Sequence, residues 1–308
     1  MTVLVDAIGS HTVYSQIHNV MSNVSNHFGF TYRPISPSYD NSRIITLSST
    51  NYVFYIRNLD LKRTGIYAAN SPLLNINAWE ALVKNSPMVL IEEYFARGNY
   101  RDLIAKSMLL PFNGYPFICL TKKTAAFLNH IGIKYFLIPP TEEKRQALKR
   151  RKHILFVGRA EPSKNPFFFL NLAKRFRDEH FVFIGRGSLS EQIAMKAKEC
   201  GNIEYAPFVE SKEEFFDYYR NAKLFIHPAL RDPIGQVIIE ALSTSTPVLA
   251  SSNTGASSFL PSDWIMKTFD EEVWIDRIKH ILANQEDSIA QAGLVFEKEH
   301  LNSSDPYS

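Results

Sequence analysis

Two cations, Arg159 and Lys164, lie in a segment that the sequence places between a strand and a helix. The segment reads FVGRAEPSKNP, so Arg159 follows an apolar run and Lys164 comes just before an amphipathic stretch. The unpaired N–H groups and positive dipole end of a helix N-terminus attract anions. An Arg and a Lys converging there would hold a diphosphate, the Arg as a fork and the Lys as a point charge. The alternative is two surface cations near a turn.

Two carboxylates, Asp232 and Glu240, flank a second loop that leads into a helix. Seven residues separate them, and Pro233 and Gly235 lie between. Carboxylates accept hydrogen bonds from sugar hydroxyls, while the N–H groups where a helix begins face phosphate. The neighbours of Glu240 in Val237–Leu242 are apolar, and a buried carboxylate needs a partner. The alternative is a helix carboxylate that points into solvent.

Short strands and amphipathic helices must position these side chains, and they alternate along the chain. Strands are predicted at Val3–Asp6, Ile44–Leu47, Val53–Ile56, Ile66–Ala69, Met88–Ile91, Phe117–Leu120, Tyr135–Ile138, His153–Val157, Phe181–Ile184, Ile203–Tyr205, Leu224–His227 and Pro247–Ala250. Helices are predicted at Val13–Phe28, Trp79–Val83, Leu103–Leu110, Thr124–Ile131, Phe168–Phe176, Ile193–Ala197, Phe215–Tyr219, Val237–Leu242 and Val273–Leu282. This alternation predicts an α/β fold with parallel sheets covered by helices on both faces.

A domain boundary is predicted at Pro139-Pro140 and the polar run TEEKRQALKRRK that follows it. Two prolines stiffen a connection, and a charged run is not expected in a core. We therefore predict two doubly wound, Rossmann-like domains, residues 1–141 and 153–284, with a linker at 142–152. Residues 285–308 form a tail that is a candidate for crossing back onto the first domain. Ligands of such sheets bind beyond the carboxyl ends of the strands, here in the cleft between the domains.

The segment from Phe156 to Gly255 resembles the group 1, or family 4, glycosyltransferases of the GT-B fold. That family has Gly-Arg at a strand end, a Lys about five residues on, a Gly-x-Gly after the next strand, and Glu-x7-Glu. The matching residues are Gly158-Arg159, Lys164, Gly185-Arg186-Gly187 and Asp232-x7-Glu240. A weaker resemblance extends to ICLTKKTAAFLNHIGIKYFLIPP in the first half. The resemblance implies a retaining enzyme that moves a sugar from a nucleotide-diphosphate sugar to a glycan, a lipid-linked or another glycoconjugate acceptor.

The resemblance also implies a role for each matching residue. Arg159 and Lys164 would bind the donor diphosphate, Glu240 the ribose hydroxyls and Asp232 hydroxyls of the transferred sugar. Phe208 would lie beside the base, although a core Phe is an equal alternative. The implied donor-binding residues are Gly158, Arg159, Lys164, Gly185, Phe208, Asp232, Gly235, Gln236 and Glu240. The implied catalytic residues are Arg159, Lys164, Asp232 and Glu240.

The sequence departs from the family pattern in three places. Asp232 is shorter than the usual Glu by one methylene, and Ser245 stands where a Gly is usual between helix and strand. Glu92 stands where many relatives have a His at the end of a first-domain strand. We take Glu92 as an acceptor-side candidate, together with Gly9 and His11 after the first strand. Surface positions are the alternative for Glu92 and His11.

Neither a metal nor a cofactor is predicted. The sequence has no Asp-x-Asp motif, no His pair at i, i+4 and no Cys-x-x-Cys. Charge on the leaving diphosphate would then be met by Arg159, Lys164 and helix dipoles, which predicts a metal-independent transferase.

Composition and charge point to a globular protein in a reducing compartment. The chain has 308 residues, of which 45% are apolar and 21% charged. Two cysteines give no disulfide framework, and neither a signal peptide nor a membrane span is recognisable, so a cytoplasmic location is expected. Residues 1–150 carry 16 Lys and Arg against 9 Asp and Glu, while residues 151–308 carry 18 against 22. The basic first half favours an anionic partner, and a solvated basic face is the alternative.

A membrane surface is the anionic partner that the basic first half favours. The segment Arg97–Leu110 combines basic and apolar residues as an interfacial helix does, although a core-facing helix is the alternative. Nucleic acid is not expected, because the aromatic residues follow core periods. We therefore predict peripheral contact with a membrane and an acceptor that is a glycan or lipid-linked.

Two other functions remain compatible with the sequence. One is a catalytically weak nucleotide-sugar-binding subunit of a larger transferase, which Asp232 and the absent His favour. The other is a GT-B nucleotide-sugar epimerase, which needs no acceptor. A nicotinamide enzyme is disfavoured because the first strand leads into AIGSHT and not into Gly-x-Gly-x-x-Gly.

Overall fold

The computed structural model of the chain describes residues 2–7, 31–34, 52–56, 88–91, 117–119, 121–137, 142–148, 151–232 and 234–302. These residues fall into two compact units, one within Met1–Thr141 and the other Glu142–Asn302. The predicted strands Ile44–Leu47 and Ile66–Ala69, the helices predicted before residue 111, and the candidates Gly9, His11 and Glu92 lie outside the described residues. No helix among the described residues is long and apolar enough to cross a membrane.

The first unit contains a six-stranded parallel sheet. Its strands are β1 (Thr2–Ala7), β2 (Thr31–Pro34), β3 (Tyr52–Ile56), β4 (Met88–Ile91), β5 (Phe117–Cys119) and β6 (Tyr135–Leu137). They are ordered β2-β1-β3-β4-β5-β6. Helix α1 (Lys122–His130) joins β5 to β6, and the N–H of Thr124 donates to the hydroxyl of Thr121 to cap it. The sequence missed β2, because TYRP has a charge in its middle and ends in proline.

The second unit contains another six-stranded parallel sheet. Its strands are β7 (His153–Val157), β8 (His180–Ile184), β9 (Ile203–Ala206), β10 (Ala222–His227), β11 (Val248–Ser251) and β12 (Ile265–Met266). They are ordered β12-β11-β10-β7-β8-β9. Strands β7, β8 and β9 therefore follow one another towards one edge of the sheet, and β10, β11 and β12 follow one another towards the other edge, with β7 and β10 adjacent in the middle. Such a switch point between neighbouring strands opens a crevice at their carboxyl ends, where ligands of α/β sheets bind.

Six helices connect and cover the strands of the second unit. They are α2 (Pro166–Arg175), α3 (Ser190–Cys200), α4 (Lys212–Arg220), α5 (Gln236–Ser243), α6 (Glu271–Ala283) and α7 (Gln285–Asn302). Strands β7 and β11 are buried throughout, as expected for parallel strands with both faces covered. Stacked and edge-on aromatic rings fill the core beside β7 and β8, and include Phe156, Phe169, Phe181 and Phe183.

The segment 142–152, predicted as a polar linker, contributes to the packing of the second unit. Arg151 is only 8% exposed, so the expectation that this run stays out of the core was wrong there. Its guanidinium donates four hydrogen bonds, to the carbonyls of Ala222, Thr244 and Ser245 and to the hydroxyl of Thr246. Arg145 lies over the ring of Phe216 at 3.7 Å. Burial of this guanidinium is tolerated because both of its terminal nitrogens donate to fixed acceptors, although Nε has no partner among the described residues.

The described part of the predicted C-terminal tail is helix α7, which belongs to the second unit. It packs against α5, and its residues Ala292 and Phe296 are buried in the core of that unit. Ser245, in the turn between α5 and β11, has a φ of 55°. Glycine adopts this left-handed conformation without strain, which fits the Gly that the family resemblance led us to expect in this turn.

Candidate functional site

The candidate site lies at the carboxyl ends of β7 and β10, at the switch point of the second sheet. Gly158 and Arg159 follow β7, and the chain reaches Lys164 at the end of a short 3-10 helix. His227 ends β10, and Asp232 lies in the loop that leads to α5. The N–H of Arg231 donates to the carbonyl of Ser163 at 3.1 Å, so the two loops are joined through their backbones.

The Asp232 carboxylate is surrounded by hydrogen-bond donors. Its Oδ2 lies 2.7 Å from Lys164 Nζ and 2.8 Å from His227 Nε2. Its Oδ1 accepts the N–H of Gly235 at 3.2 Å. The residue is 9% exposed, so the carboxylate is largely removed from water. Burial alone would raise the pKa of Asp232, but Lys164 and His227 together hold that pKa well below its usual range. Asp232 is therefore ionised at neutral pH.

His227 is fully buried behind Asp232. Its ring stacks on Phe225 with a centroid distance of 5.9 Å and on Phe156 at 6.4 Å. Burial lowers the pKa of His227, and the hydrogen bond to Asp232 opposes that effect. A neutral ring beside an ionised carboxylate carries its proton on Nε2, because the carboxylate can only accept. The other nitrogen, Nδ1, finds no hydrogen-bond partner among the residues that the structure describes.

The two cations predicted to bind an anion differ in their surroundings. Lys164 is mostly buried, with 11% side-chain exposure, and pairs with Asp232. Arg159 is exposed on the same loop. The structure thus brings Lys164 and Asp232 into contact, which the sequence separated by 68 positions. An anion arriving here would meet Arg159 directly and would compete with Asp232 for Lys164.

Glu240 lies on α5 and finds the partner that its apolar surroundings require. The hydroxyl of Tyr219, on α4, donates to Glu240 Oε2 at 2.8 Å. Burial raises the pKa of Glu240 to about 7; the Tyr219 hydroxyl lowers it, whereas the charge of Glu142 raises it. The side chain is half-buried, so the solvent-facing alternative does not describe it. Near neutral pH this carboxyl exists in both protonation states.

Gly235 and Gln236 mark the beginning of α5. Gly235 has a φ of +74°, and a Cβ there would lie 2.3 Å from Thr254 Cγ2, so no larger residue fits. Its N–H is already bound by Asp232, whereas the sequence predicted that it would face a ligand. Gln236 is the first residue of α5 and is partly exposed.

The Gly-x-Gly after β8 is explained by close packing against the Gly158 loop. Gly185 has a φ of +141°, and a Cβ there would lie 1.9 Å from the carbonyl oxygen of Gly158. A Cβ on Gly187 would lie 2.5 Å from the carbonyl oxygen of Ala160. Ala160 N–H in turn donates to Arg186 O at 3.1 Å. These glycines therefore shape the loop that carries Arg159.

Phe208, in the loop after β9, is not a core residue. Its side chain is 61% exposed, which excludes the core alternative. The guanidinium of Arg186 lies 5.3 Å from the centre of its ring. An exposed aromatic beside an Arg can stack on a planar ligand.

Sequence reasoning missed two residues of this site, His227 and Tyr219. Both lie in elements that the sequence predicted, His227 as the last residue of a strand and Tyr219 on a helix face. A polar side chain at the carboxyl end of a central strand was the available signal for His227. Nothing in the sequence pairs Tyr219 with Glu240.

Comparison with protein families places this site in a known context. Residues 140–292 match the model of the family described as Glycosyl transferases group 1, and this segment contains the whole second-unit site. The D-inositol 3-phosphate glycosyltransferase of Mycolicibacterium smegmatis is 26% identical over 152 residues, which cover 46% of this chain and 35% of that protein. That of Mycobacterium sp. (strain KMS) is 31% identical over 113 residues, 34% of this chain and 26% of that protein. The chain thus spans about a third or less of the length of these curated relatives.

Solved structures show the same fold at low identity. Trehalose-6-phosphate synthase OtsA has a TM-score of 0.64 at 11% identity, covering 98% of this chain and 96% of that chain. The lipopolysaccharide outer core galactosyltransferase WaaB has a TM-score of 0.59 at 11% identity, covering 98% of each chain. Staphylococcus aureus TarM, solved with UDP, has a TM-score of 0.55 at 16% identity, covering 82% of this chain and 55% of that chain. These neighbours are GT-B proteins, and at such identities the likeness concerns the fold alone.

Proposed function

We propose that this chain is a retaining glycosyltransferase that moves a sugar from a nucleotide-diphosphate sugar to a glycan, lipid-linked or other glycoconjugate acceptor. The observation that carries the proposal is the Lys164–Asp232 pair with the exposed Arg159 beside it, at the switch point of a parallel sheet. Cations for a diphosphate and a carboxylate for hydroxyls are what a nucleotide sugar requires. The match of this segment to a glycosyltransferase family supports the same function.

Each site residue has a role in this proposal. Arg159 and Lys164 bind the donor diphosphate and stabilise the charge that develops as it leaves. Asp232 accepts hydroxyls of the transferred sugar, and Glu240 those of the ribose. Phe208 stacks beside the base. The leaving charge is met by these cations and by the helix N-termini, so we propose that no metal is needed.

The first unit is proposed to bind the acceptor. Gly9, His11 and Glu92 are the candidates there. Its excess of basic residues suits a lipid-linked acceptor at a membrane surface, and a cytoplasmic location with peripheral membrane contact is part of this proposal.

A second candidate function is a nucleotide-sugar-binding subunit with weak or no turnover. The engagement of Asp232 by Lys164, His227 and Gly235 favours it, because an occupied carboxylate is less available to a sugar. Such a subunit would bind the donor and would not cleave it.

Thermal unfolding of the full chain with UDP-glucose, GDP-mannose, ADP-glucose and the free diphosphates tests the proposal. A ligand that binds the folded state raises Tm by mass action. We expect one base to do so, and Arg159→Ala/Lys164→Ala to abolish the shift. The matched control is Lys174→Ala/Arg177→Ala, which removes two exposed cations. Lys174 lies in the last turn of α2, and Arg177 follows the helix.

Hydrolysis of the stabilising nucleotide sugar then separates the two functions. Slow release of the nucleoside diphosphate without acceptor supports a transferase, and binding without release supports the subunit. If none of these compounds shifts Tm, the donor site is wrong. Retention is checked by the anomeric configuration of the released sugar.

A further inference from the structure

We propose that His227 is a positioning residue, which holds the Asp232 carboxylate in place and ionised when Lys164 turns from Asp232 to the donor diphosphate. This inference rests on the proposed function. The proposal concerns a residue that touches neither donor nor acceptor and acts through Asp232.

The geometry makes His227 the second anchor of Asp232. His227 Nε2 and Lys164 Nζ approach the same oxygen, Oδ2, at 2.8 and 2.7 Å. The remaining oxygen, Oδ1, has the longer bond from the Gly235 N–H at 3.2 Å. If Lys164 moves away, His227 is therefore the donor that remains on Oδ2.

His227 is also held rigidly enough to serve as an anchor. It ends the central strand β10 and is 0% exposed. The rings of Phe225 and Phe156 stack on it, which fixes the direction of Nε2 towards Asp232. A supporting group whose own rotamer is locked by packing can orient a site residue to a fraction of an ångström.

The surroundings of the two ring nitrogens of His227 indicate which of them carries the proton. Nδ1 is buried, and no described residue offers it a hydrogen bond. The tautomer with its proton on Nδ1 would leave that N–H as an unsatisfied buried donor and would remove the bond to Asp232, and a ring protonated on both nitrogens would add a second charge beside Lys164; both are unfavourable. The ring therefore donates through Nε2 alone and serves Asp232 alone.

Loss of His227 should affect the step in which charge develops on the leaving diphosphate. Without His227, Oδ2 of Asp232 would depend on Lys164 alone, and movement of Lys164 towards the diphosphate would leave the buried carboxylate with only the Gly235 N–H on its other oxygen. This loss would raise the free energy of the transition state more than that of the bound substrate, because the negative charge on the diphosphate, and so its attraction for Lys164, is greatest in the transition state. An interaction that matters mainly in the transition state lowers kcat more than it raises KM.

Two substitutions separate positioning from packing. His227→Gln keeps an N–H that can reach Asp232 but loses the ring, whereas His227→Phe keeps the stacked ring but loses the N–H. We expect His227→Phe to lower kcat for hydrolysis of the stabilising nucleotide sugar roughly ten- to a hundredfold, with KM within about threefold, since the lost bond is to a charged group. His227→Gln should recover most of kcat. The reverse order, with Phe active and Gln inactive, would show that His227 only packs.

A measurement on proteins that keep His227 decides the matter if either substitution prevents folding. Long-range ¹H–¹⁵N spectra of histidine-labelled wild type and Lys164→Met report which ring nitrogen bears the proton. We expect a neutral ring with the proton on Nε2 in both, because His227 should hold Asp232 when Lys164 is absent. A proton on Nδ1, or an Nε2 proton lost in Lys164→Met, would overturn the proposal.

Failure of the proposed function would look different. If wild type neither binds nor hydrolyses UDP-glucose, GDP-mannose or ADP-glucose, the transferase assignment fails, while the spectra still test the His227–Asp232 bond. If wild type hydrolyses one of them and His227→Phe does so equally well, the transferase assignment stands and the positioning role is wrong.

Discussion

Lys164 Nζ lies 2.7 Å from Asp232 Oδ2, and this ion pair joins the loop after β7 to the loop after β10. The two side chains are only 11% and 12% exposed, so solvent screens them little. A pair of this kind costs desolvation energy when it forms, but removing one partner leaves a buried charge uncompensated. The pair therefore has consequences for stability as well as for binding.

Lys164→Met should destabilise the fold by about 3 kcal/mol at pH 7, because it leaves the Asp232 carboxylate buried without its cation. The low pKa of Asp232 in the wild type gives stability that is present above the ordinary carboxyl pKa of about 4 and is lost as the pH falls through the folded value. In the variant, His227 is the remaining side chain that opposes burial, so the pKa of Asp232 rises from its wild-type value and protonation in acid relieves part of the cost. The difference between the two proteins should thus shrink from pH 7 to pH 4. Urea unfolding at both pH values measures it.

The exposed Lys198 on α3 supplies the control for this prediction. Lys198→Met should change the free energy of unfolding by less than about 0.5 kcal/mol at either pH. An equal loss for Lys164→Met at pH 7 and pH 4 would mean that the ion pair does not set the protonation of Asp232.

Glu240→Gln should stabilise the protein at alkaline pH. With a folded pKa of about 7, the carboxyl binds a proton on folding between about pH 4.5 and 7, so its contribution to stability falls as the pH rises through this range. An uncharged amide avoids that loss and can still accept from Tyr219. We expect a gain of roughly 2 kcal/mol at pH 8 and almost none at pH 5, measured by urea unfolding. The exposed Glu210→Gln should show no such dependence, and a Glu240→Gln variant that is less stable at pH 8 would contradict the raised pKa.

Gly185→Ala should be far more damaging than Gly201→Ala, although both glycines have positive φ. At Gly201 no atom of the described part of the chain lies within 4 Å of the added methyl group, so the cost is the backbone strain of about 1 kcal/mol. At Gly185 the methyl group would meet the Gly158 carbonyl oxygen at 1.9 Å, so the loop carrying Arg159 must move. We expect a loss above about 3 kcal/mol in urea unfolding. Similar losses for the two variants would show that the loops are not packed so closely.

The sequence predicted five of the six strands of the second sheet to within about two residues, because most of their interiors are continuous apolar runs, and it missed the two-residue edge strand β12 (Ile265–Met266). His153–Val157 is an example, since all five residues are buried on one or other face. Strand β2 was missed because TYRP lacks such a run. The pattern of hydrophobic residues thus reveals central strands better than edge strands.

The site was predictable in part for a similar reason. Parallel strands place their carboxyl ends together, so Lys164 and Asp232 could be assigned to one edge of the sheet. The bond from His227 could not, because it depends on how the loop from Pro228 to Arg231 folds back. Arg151 was assigned to solvent from its charged neighbours, and its burial depends on carbonyls at Ala222, Thr244 and Ser245 that only the folded turn gathers.

Arg151→Met should lower the free energy of unfolding by about 3 kcal/mol, since three buried carbonyls would lose their donor. Arg151→Lys should recover only part of this, because one ammonium group cannot reproduce the guanidinium fork. Chemical denaturation of both variants checks the order. Arg177→Met, at an exposed position, is the matched control and should be neutral. If Arg151→Met leaves the free energy of unfolding unchanged, the buried guanidinium does not stabilise the second unit, as would be expected of a residue in a linker.

Ser245→Gly should stabilise the protein, in contrast to most serine-to-glycine changes. Ser245 has a φ of 55°, a conformation in which an L-residue is strained and glycine is not. Glycine also makes the unfolded chain more flexible, which offsets part of the gain, and loss of the hydroxymethyl group opens a small space beside Gly293 of α7. We therefore expect a net gain of about 0.5 kcal/mol, measured as a higher urea midpoint with unchanged slope. Ser262→Gly, in a 3-10 helix without positive φ, should instead lose stability. If both changes destabilise equally, the left-handed turn at Ser245 carries no strain that glycine can relieve.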